Sequence, residues 1–272
     1  MRYVLFANGS VGLDAARFLA ARPEEIAALV LHPNEHARCA DEIREALGID
    51  RESVVDGSTL RDPGVVSRLS SLEPQIGLSV YFRYIFRKPM IDLFPQGIIN
   101  LHPSLLPHCR GCYPNVWSIV TRAPAGVTMH HIDAKIDTGD IVSQETVEVA
   151  PEDTGASLYA KLEAASCCLF RSTWPKLVAG TASRTSQGPG GSLHRKRDVD
   201  EIDEIDLDRT YTGRDLIDLI RARTFAPHRG AYFRSGGRKI YVSLALEAVD
   251  EAESDTSATI EQARGLKSSI AP

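Results

Sequence analysis

The sequence lacks any long hydrophobic run. The chain has 272 residues, and none of its apolar stretches reaches the roughly 20 residues that a membrane-spanning helix needs. The apolar run at the N-terminus ends at Asn8, which makes it too short for the hydrophobic region of a signal peptide. We therefore expect a cytoplasmic protein with no membrane partner.

Cysteine is scarce, and its five positions form no clear metal or disulfide pattern. Cys109 and Cys112 have the C-x-x-C spacing of half a zinc site or of a redox pair. The adjacent Cys167 and Cys168 do not supply a second pair with suitable spacing. We therefore expect reduced cysteines and no bound metal.

Positive charge is not in excess, because the formal net charge is −5 at pH 7. A protein that binds nucleic acid usually carries a basic track for the phosphates. The concentrated basic run at residues 194–197 is followed by the acidic segment 198–208, which would repel phosphate. Nucleic acid is therefore not expected as a partner.

Short apolar segments alternate with amphipathic segments along the first two thirds of the chain. Their composition predicts strands at residues 2–7, 26–31, 76–81, 97–102, 126–132 and 140–149. The helical spacing of apolar residues predicts helices at residues 11–19, 36–47, 65–72 and 154–179. This alternation predicts an α/β fold with a Rossmann-like, mostly parallel sheet.

A segment rich in Ser, Gly and Pro, residues 181–192, interrupts this pattern and is typical of a linker or a mobile loop. After it, a helix at residues 212–223 and a hairpin with its turn at residues 235–238 predict a small α+β unit. The sequence thus predicts a main domain (residues 1–180), a linker (181–205), a small C-terminal unit (206–248) and a flexible tail (249–272).

Two polar side chains, Asn100 and His102, stand at the end of the fourth predicted strand. Residues two apart on a strand project from the same face, and Pro103 ends the strand. Ligands of open α/β sheets bind beyond the carboxyl ends of the strands. An amide and an imidazole at this position therefore have the chemistry to stabilise an oxyanion, although a polar strand end with satisfied hydrogen bonds is an open alternative.

The loop between the last two predicted strands contains three aspartates and a glycine: Asp133, Asp137, Gly139 and Asp140. Asp and Gly are common in turns, so a purely structural loop is one interpretation. A carboxylate in contact with His102 would hold the imidazole and could accept a proton during a reaction. The spacing fits no EF-hand loop, so no metal is expected here.

Several motifs together resemble the formyltransferases that use 10-formyltetrahydrofolate. They are Asn-Leu-His-Pro-Ser-Leu-Leu-Pro at residues 100–107, Arg110-Gly111, Gly126-Val-Thr and Ile136-Asp137-Thr-Gly139. This family includes glycinamide ribonucleotide transformylase, methionyl-tRNA formyltransferase and the sugar N-formyltransferases. The resemblance covers about residues 1–180 and, more loosely, 205–245. It implies the formyltransferase fold and an enzyme that transfers a formyl group without a metal.

The resemblance also implies residue roles. Asn100 and His102 would stabilise the tetrahedral intermediate at the formyl carbon, and Asp137 would orient His102 and assist proton removal. Ser104 would support the histidine or an ordered water. The folate pocket would be formed by Tyr84, Ile85, Phe86, Ser104, Ile132, Asp133, Lys135 and Ile136. At the first three of these positions, relatives usually carry smaller aliphatic residues.

Two segments are candidates for binding the acceptor. The turn after the first strand, Asn8-Gly9-Ser10, could bind phosphate through backbone N–H groups, although a tight βα turn is the structural alternative. In the second segment, Tyr113 and Trp117 could stack on a base or a sugar, although core packing is the alternative for Trp117. The acceptor-side candidates of this segment are Arg110, Tyr113, Asn115 and Trp117.

The Arg-Gly-x-Tyr-Pro-Asn-Val-Trp form of residues 110–117 looks more like sugar N-formyltransferases than like the tRNA enzyme. We therefore expect N-formylation of a nucleotide-linked amino sugar, with the C-terminal unit as a candidate homodimer contact. The alternatives are formylation of methionyl-tRNA or of a small non-sugar amine. A folate-binding protein without turnover is a third interpretation, against which the set of Asn100, His102 and Asp137 argues.

Overall fold

The computed structural model describes residues 1–249, and the predicted tail lies almost entirely outside this range. The strands are β1 (Arg2–Ala7), β2 (Glu25–Leu31), β3 (Val55–Asp56), β4 (Ile76–Val80), β5 (Ile98–His102), β6 (Arg110–Gly111), β7 (Ala125–His131), β8 (Ile141–Val147), β9 (Leu193–His194), β10 (Tyr232–Ser235) and β11 (Arg238–Tyr241). The helices are α1 (Gly9–Ala20), α2 (Ala40–Ala46), α3 (Pro63–Ser70), α4 (Lys88–Ile91), α5 (Pro114–Val120), α6 (Gly155–Val178), α7 (Asp200–Asp203) and α8 (Gly213–Ala222). In this part of the chain, no helix combines the length and apolar composition needed to cross a membrane.

A seven-stranded sheet with the order β3-β2-β1-β4-β5-β7-β8 forms the centre of the molecule. The first five strands in this order are parallel, and β7 and β8 continue the sheet in antiparallel pairing. The predicted α/β fold with a mostly parallel sheet is therefore confirmed. The winding reverses at β1, which pairs with β2 on one side and with β4 on the other, and ligands favour the carboxyl edge at such a point.

The two faces of the sheet pack against different cores. Leu5, Leu78 and Leu101 belong to the core on the side of α1 and α6. Phe6 and Ile98 belong to the opposite core, which contains most of the buried phenylalanines. Because side chains alternate along a strand, Ile98, Asn100 and His102 share one face, and the two polar residues continue the apolar face towards the end of β5.

Helix α6 is long because its start is capped and its apolar residues repeat at helical spacing. The Thr154 hydroxyl accepts the backbone N–H of Ser157, and the Ser157 hydroxyl accepts that of Thr154, which forms a reciprocal capping box. Leu158, Leu162 and Leu169 are buried in the sheet core. The predicted range of this helix, residues 154–179, agrees closely with the structure.

Helix α2 is shorter than the predicted range of residues 36–47. The preceding residues form a turn, in which the backbone N–H groups of His36 and Ala37 both donate to the Pro33 carbonyl. Cys39 then adopts a left-handed conformation with φ of 56°, which a helix cannot continue through. The helix therefore begins only at Ala40.

The segment predicted as a linker or mobile loop is tied to the main sheet. Thr185 pairs with Ile141 of β8, and β9 pairs in parallel with β6. Backbone hydrogen bonds therefore join both ends of this segment to the rest of the fold, and its role as a linker stays a prediction.

A buried ionic network joins α8 of the C-terminal part to the main sheet layer. Arg221 donates to Asp218 and to the backbone carbonyls of Ala150 and Asp153. Asp218 also accepts from Arg122. Arg221 and Asp218 are both buried, so each charge depends on these partners for compensation.

Replacement of Arg221 with methionine should therefore lower the free energy of unfolding by about 3 kcal/mol, because it leaves a buried carboxylate and two carbonyls short of a donor. Urea denaturation followed by tryptophan fluorescence measures this loss. Arg214→Met on the exposed side of the same helix is the matched control and should cost less than about 0.5 kcal/mol. Equal losses from the two variants would contradict a specific role for the network.

Candidate active site

The Asn100 side chain is held at both ends of its amide. Its Oδ1 accepts a hydrogen bond from the Ser79 hydroxyl on the neighbouring strand, at 2.8 Å. Its Nδ2 lies 3.1 Å from Nε2 of His130 on β7. These partners fix the orientation of the amide and leave one of its two N–H donors for a ligand.

His130 is a neutral acceptor in this arrangement. Burial lowers the pKa of His130 to about 4, against a smaller opposing effect of Asp137. Its Nδ1 lies 2.8 Å from the backbone carbonyl of His131. Because a carbonyl only accepts, Nδ1 carries the proton and Nε2 accepts from Asn100.

The Asp137 carboxylate lies between two histidines. One oxygen is 3.6 Å from Nε2 of His102, and the other is 3.6 Å from Nε2 of His130. The first oxygen also accepts the backbone N–H of Gly111 at 2.8 Å. The structure thus brings Asn100, His102 and Asp137 together, and distances of this size can shorten when substrate binds.

Two buried polar atoms at the end of β5 and just after it have no hydrogen-bond partner among residues 1–249: Nε2 of His102, which is beside this carboxylate, and Oγ of Ser104. Buried polar atoms are normally paired, so an unpaired imidazole nitrogen beside a carboxylate is suited to a ligand oxygen. Ser104 is held through its backbone carbonyl, which accepts from the Thr128 hydroxyl at 2.7 Å.

The predicted folate-pocket residues after β4 have different environments. Phe86 is buried and packs edge-on against Phe6, so its ring belongs to the core. Tyr84 is half-buried and stacks on His32. Ile85 is 65% exposed and is therefore available to an apolar ligand surface. The larger aromatic residues at Tyr84 and Phe86 thus serve packing, and the aliphatic residue between them is open.

The other predicted pocket residues belong to the loop between β7 and β8. The Asp133 carboxylate accepts from the Thr138 hydroxyl and from the Lys135 backbone N–H, so it shapes the loop. Ile132 extends the β5–β7 pairing through its N–H, which donates to the Ile98 carbonyl. Ile136 is 45% exposed.

The Asp137 loop and the loop after β4 lie near the same thiol. Burial raises the pKa of Cys112, the Asp137 carboxylate raises it further, and the Arg83 guanidinium opposes this effect. Both charged groups therefore act on the Cys112 thiol, and Ile85 and Ile136 belong to the two loops that contain these groups.

The candidate turn Asn8-Gly9-Ser10 is already engaged within the protein. Asn8 Oδ1 accepts the Arg38 N–H, and the Gly9 N–H donates to the Arg38 carbonyl at 3.0 Å. The Ser10 hydroxyl donates to Glu163. The Gly9 donor expected to bind phosphate is thus occupied, and a negative charge stands beside Ser10.

The second acceptor-side segment is also largely engaged in packing. The Asn115 side chain donates to the Gly155 carbonyl at 2.8 Å. Trp117 is buried, and its ring stacks on His194 with centroids 4.1 Å apart. Tyr113 remains 37% exposed, so it is the aromatic residue of this segment that is free to stack on a ligand.

Sequence reasoning missed three residues of the site. Ser79 and His130 reach Asn100 from neighbouring strands, and Gln187 donates to the backbone carbonyl of Asp137 at 2.9 Å. The polar Ser79 in an otherwise apolar predicted strand was an available signal. Gln187 gave no such signal, because it lies in a polar segment.

Comparison with known families shows which family the chain belongs to. The Formyl transferase family matches residues 17–171, and the N-formyltransferase dimerization C-terminal domain matches residues 198–248. The first match spans more than half of the chain, so the protein belongs to the formyl transferase family. It is a formyltransferase family enzyme, as the motifs around Asn100 and Asp137 predicted.

Solved structures of other formyltransferases are similar along most of the chain. A 4-N formyltransferase from Francisella tularensis is 26% identical, with a TM-score of 0.79 over 91% of this chain and 98% of that one. A sugar N-formyltransferase from Shewanella is 24% identical, with a TM-score of 0.78 over 92% and 99%. The formyltransferase PseJ from Anoxybacillus kamchatkensis, in complex with UDP-4,6-dideoxy-4-formamido-L-AltNAc and tetrahydrofolate, is 26% identical, with a TM-score of 0.55 over 79% and 94%.

The low pKa of His130 makes the stability of the fold depend on pH. In the unfolded chain, histidine titrates near pH 6.5, so the unfolded state binds more protons between about pH 6.5 and pH 4. The contribution of neutral His130 to the free energy of unfolding is therefore complete above this window and is lost as the pH falls through it. His130 should contribute about 2 kcal/mol of loss between pH 7 and pH 5.

Urea denaturation at the two pH values tests this contribution, with His130→Gln as the variant. The variant should lose about 2 kcal/mol less than the wild type, whereas the exposed-site control His36→Gln should behave as the wild type does. An unchanged pH dependence in His130→Gln would show that folding does not lower the pKa of His130.

Proposed function

We propose that this protein transfers a formyl group from 10-formyltetrahydrofolate to the amine of a nucleotide-linked amino sugar. The observation that carries the proposal is the meeting of the oriented Asn100 amide, the unpaired Nε2 of His102 and the Asp137 carboxylate at the end of β5. Neutral and charged donors beside a carboxylate are the groups that acyl transfer to an amine requires.

The donor would be held between the loop after β4 and the loop between β7 and β8. Ile85 and Ile136 are exposed apolar side chains on these loops, and an apolar ring system would cover them. Within residues 1–249 the buried Ser104 hydroxyl has no hydrogen-bond partner, which fits a polar group of the donor or an ordered water. The donor supplies an activated formyl group at this position.

The residues of this chain would then act in sequence. The neutral acceptor amine attacks the formyl carbon, and the formyl oxygen becomes negative as the carbon becomes tetrahedral. The free N–H of Asn100 and the His102 imidazole stabilise this charge. Asp137 takes the proton that the amine loses. The bond between the formyl carbon and the donor nitrogen then breaks, and that nitrogen receives the proton that Asp137 had taken from the amine.

A sugar nucleotide as acceptor is supported by the likeness to the Francisella 4-N formyltransferase and to the Anoxybacillus enzyme, which is bound to a UDP-sugar. The exposed Tyr113 offers a ring for stacking on a base or a sugar. The net charge of −5 disfavours tRNA, which would require a basic track. The match of residues 198–248 to a dimerization domain supports a homodimer.

An assay of tetrahydrofolate release from 10-formyltetrahydrofolate tests the function, with 3-amino and 4-amino sugars linked to dTDP or UDP as acceptors. Release should require one of these acceptors and yield a formamido sugar, which mass spectrometry identifies. Release with charged initiator tRNA or a non-sugar amine, and with no sugar, would overturn the acceptor class. Folate binding without release in the presence of any amine would overturn transfer itself.

Replacement of Asp137 with asparagine should lower kcat by about 10²–10³, because the amide cannot accept the proton while it preserves shape. Asp140→Asn is the matched control, since this carboxylate lies in the same region but pairs with Arg184 at the surface. The control should keep at least half of the wild-type rate. A near-normal rate for Asp137→Asn would refute the assigned role of the carboxylate.

A further inference from the structure

The segment of residues 185–194, here called the strap, crosses the site side of the molecule. At one end, Thr185 pairs with Ile141 at the start of β8. At the other end, the strap residues of β9 pair with Arg110 and Gly111 of β6. The strap therefore connects β8, which follows the Asp137 loop, with β6, whose Gly111 contacts the Asp137 carboxylate.

Gln187 is the strap residue that reaches the Asp137 loop. Its Nε2 donates to the backbone carbonyls of Asp137 and Gly139, at 2.9 Å and 2.8 Å. Its Oε1 accepts from Nε and Nη2 of Arg110, at 3.1 Å and 2.7 Å. Because a guanidinium only donates, Arg110 binds the oxygen of the Gln187 amide. The N–H groups of that amide are therefore directed at the two carbonyls.

These two hydrogen bonds restrain a backbone that would otherwise relax. Asp137 has a φ of 52°, a left-handed conformation that costs free energy in a non-glycine residue and persists only where neighbours enforce it. Position 139 accepts only glycine, since a Cβ there would lie 1.9 Å from the His131 carbonyl oxygen. Gln187 binds the carbonyls on both sides of this tight turn.

The strap also fixes the group that binds the Asp137 side chain. The Gly111 N–H donates to the carboxylate, and Gly111 itself is paired with His194 of the strap. A Cβ at Gly111 would lie 2.2 Å from the His194 carbonyl oxygen, so the two chains are in close contact. The strap thus holds Asp137 by its main chain and, through Gly111, by its side chain.

We propose that Gln187, oriented by Arg110, is a positioning residue of the transfer reaction that sets the Asp137 carboxylate against His102. The proposal rests on the proposed function and deepens it, because it assigns to Gln187 and Arg110 a role in the geometry of the catalytic carboxylate. Arg110 acts here within the protein, where the sequence had suggested contact with the acceptor.

Gln187→Glu is the sharpest variant, because glutamate keeps the side-chain length and the acceptor for Arg110 but has no N–H for the two carbonyls. Displacement of a catalytic group by about 1 Å can cost up to about 100-fold in rate. The variant should therefore lower kcat at least tenfold and leave the KM of both substrates within about twofold. Ser186→Ala is the matched control, since it removes a strap hydrogen bond to Asp140 and should change kcat less than about twofold.

A double-mutant cycle separates positioning from a general structural effect. If Gln187 acts through Asp137, then Gln187→Glu should change the residual rate of Asp137→Asn less than about twofold, because the group that it positions is already disabled. Additive losses, or equal losses in Gln187→Glu and Ser186→Ala, would overturn the proposal.

Hydrogen exchange gives a readout that does not require turnover. The Gly111 amide donates to the Asp137 carboxylate, so its exchange should be at least fivefold faster in Gln187→Glu and unchanged in Ser186→Ala. Unchanged exchange in both variants would overturn the positioning role. A wild-type protein that releases no tetrahydrofolate with any acceptor would instead refute the proposed function, and the exchange result would still decide how the carboxylate is held.

Discussion

The placement of one carboxylate organises the rest of the site. Asp137 faces His102 and His130 with its two oxygens, each 3.6 Å from an imidazole nitrogen, and one oxygen accepts the Gly111 N–H. Because Nε2 of the neutral His130 only accepts, the hydrogen bond to this little-exposed carboxylate comes from the Gly111 N–H. The strand that carries His102, the strand that carries His130 and the β6–β9 pair must therefore all be in place before the site exists.

The sheet allows this convergence because its two faces differ. One face of β5 is entirely apolar and packs under α1 and α6, which anchors the strand. The other face begins with Ile98 in the aromatic core and then presents Asn100 and His102. Asn100 and His102 thus project from a rigid strand, and under the proposed function little reorganisation is needed when charge develops on a ligand.

Burial and hydrogen bonding give His130 and His102 different properties. Burial keeps His130 neutral, with its pKa lowered to about 4, and its Nε2 then orients the Asn100 amide. His102 keeps its Nε2 without a protein partner among the described residues and so remains available to a ligand. One imidazole serves as a fixed acceptor, and the other is free to take part in chemistry.

The amino-acid sequence by itself determined the sheet, the long capped helix α6 and the alignment of Asn100 with His102, because strand and helix periods and a capping pattern are local properties. The resemblance of its motifs to those of the formyltransferases also indicated Asp137. Only the tertiary structure decided that His130 would meet Asn100, since this depends on the antiparallel register of β5 and β7. The same holds for Gln187, which lies 50 residues after Asp137 in a segment with no apolar period. Its position is set by backbone pairing with distant strands, and a polar sequence without periodicity does not specify such pairing.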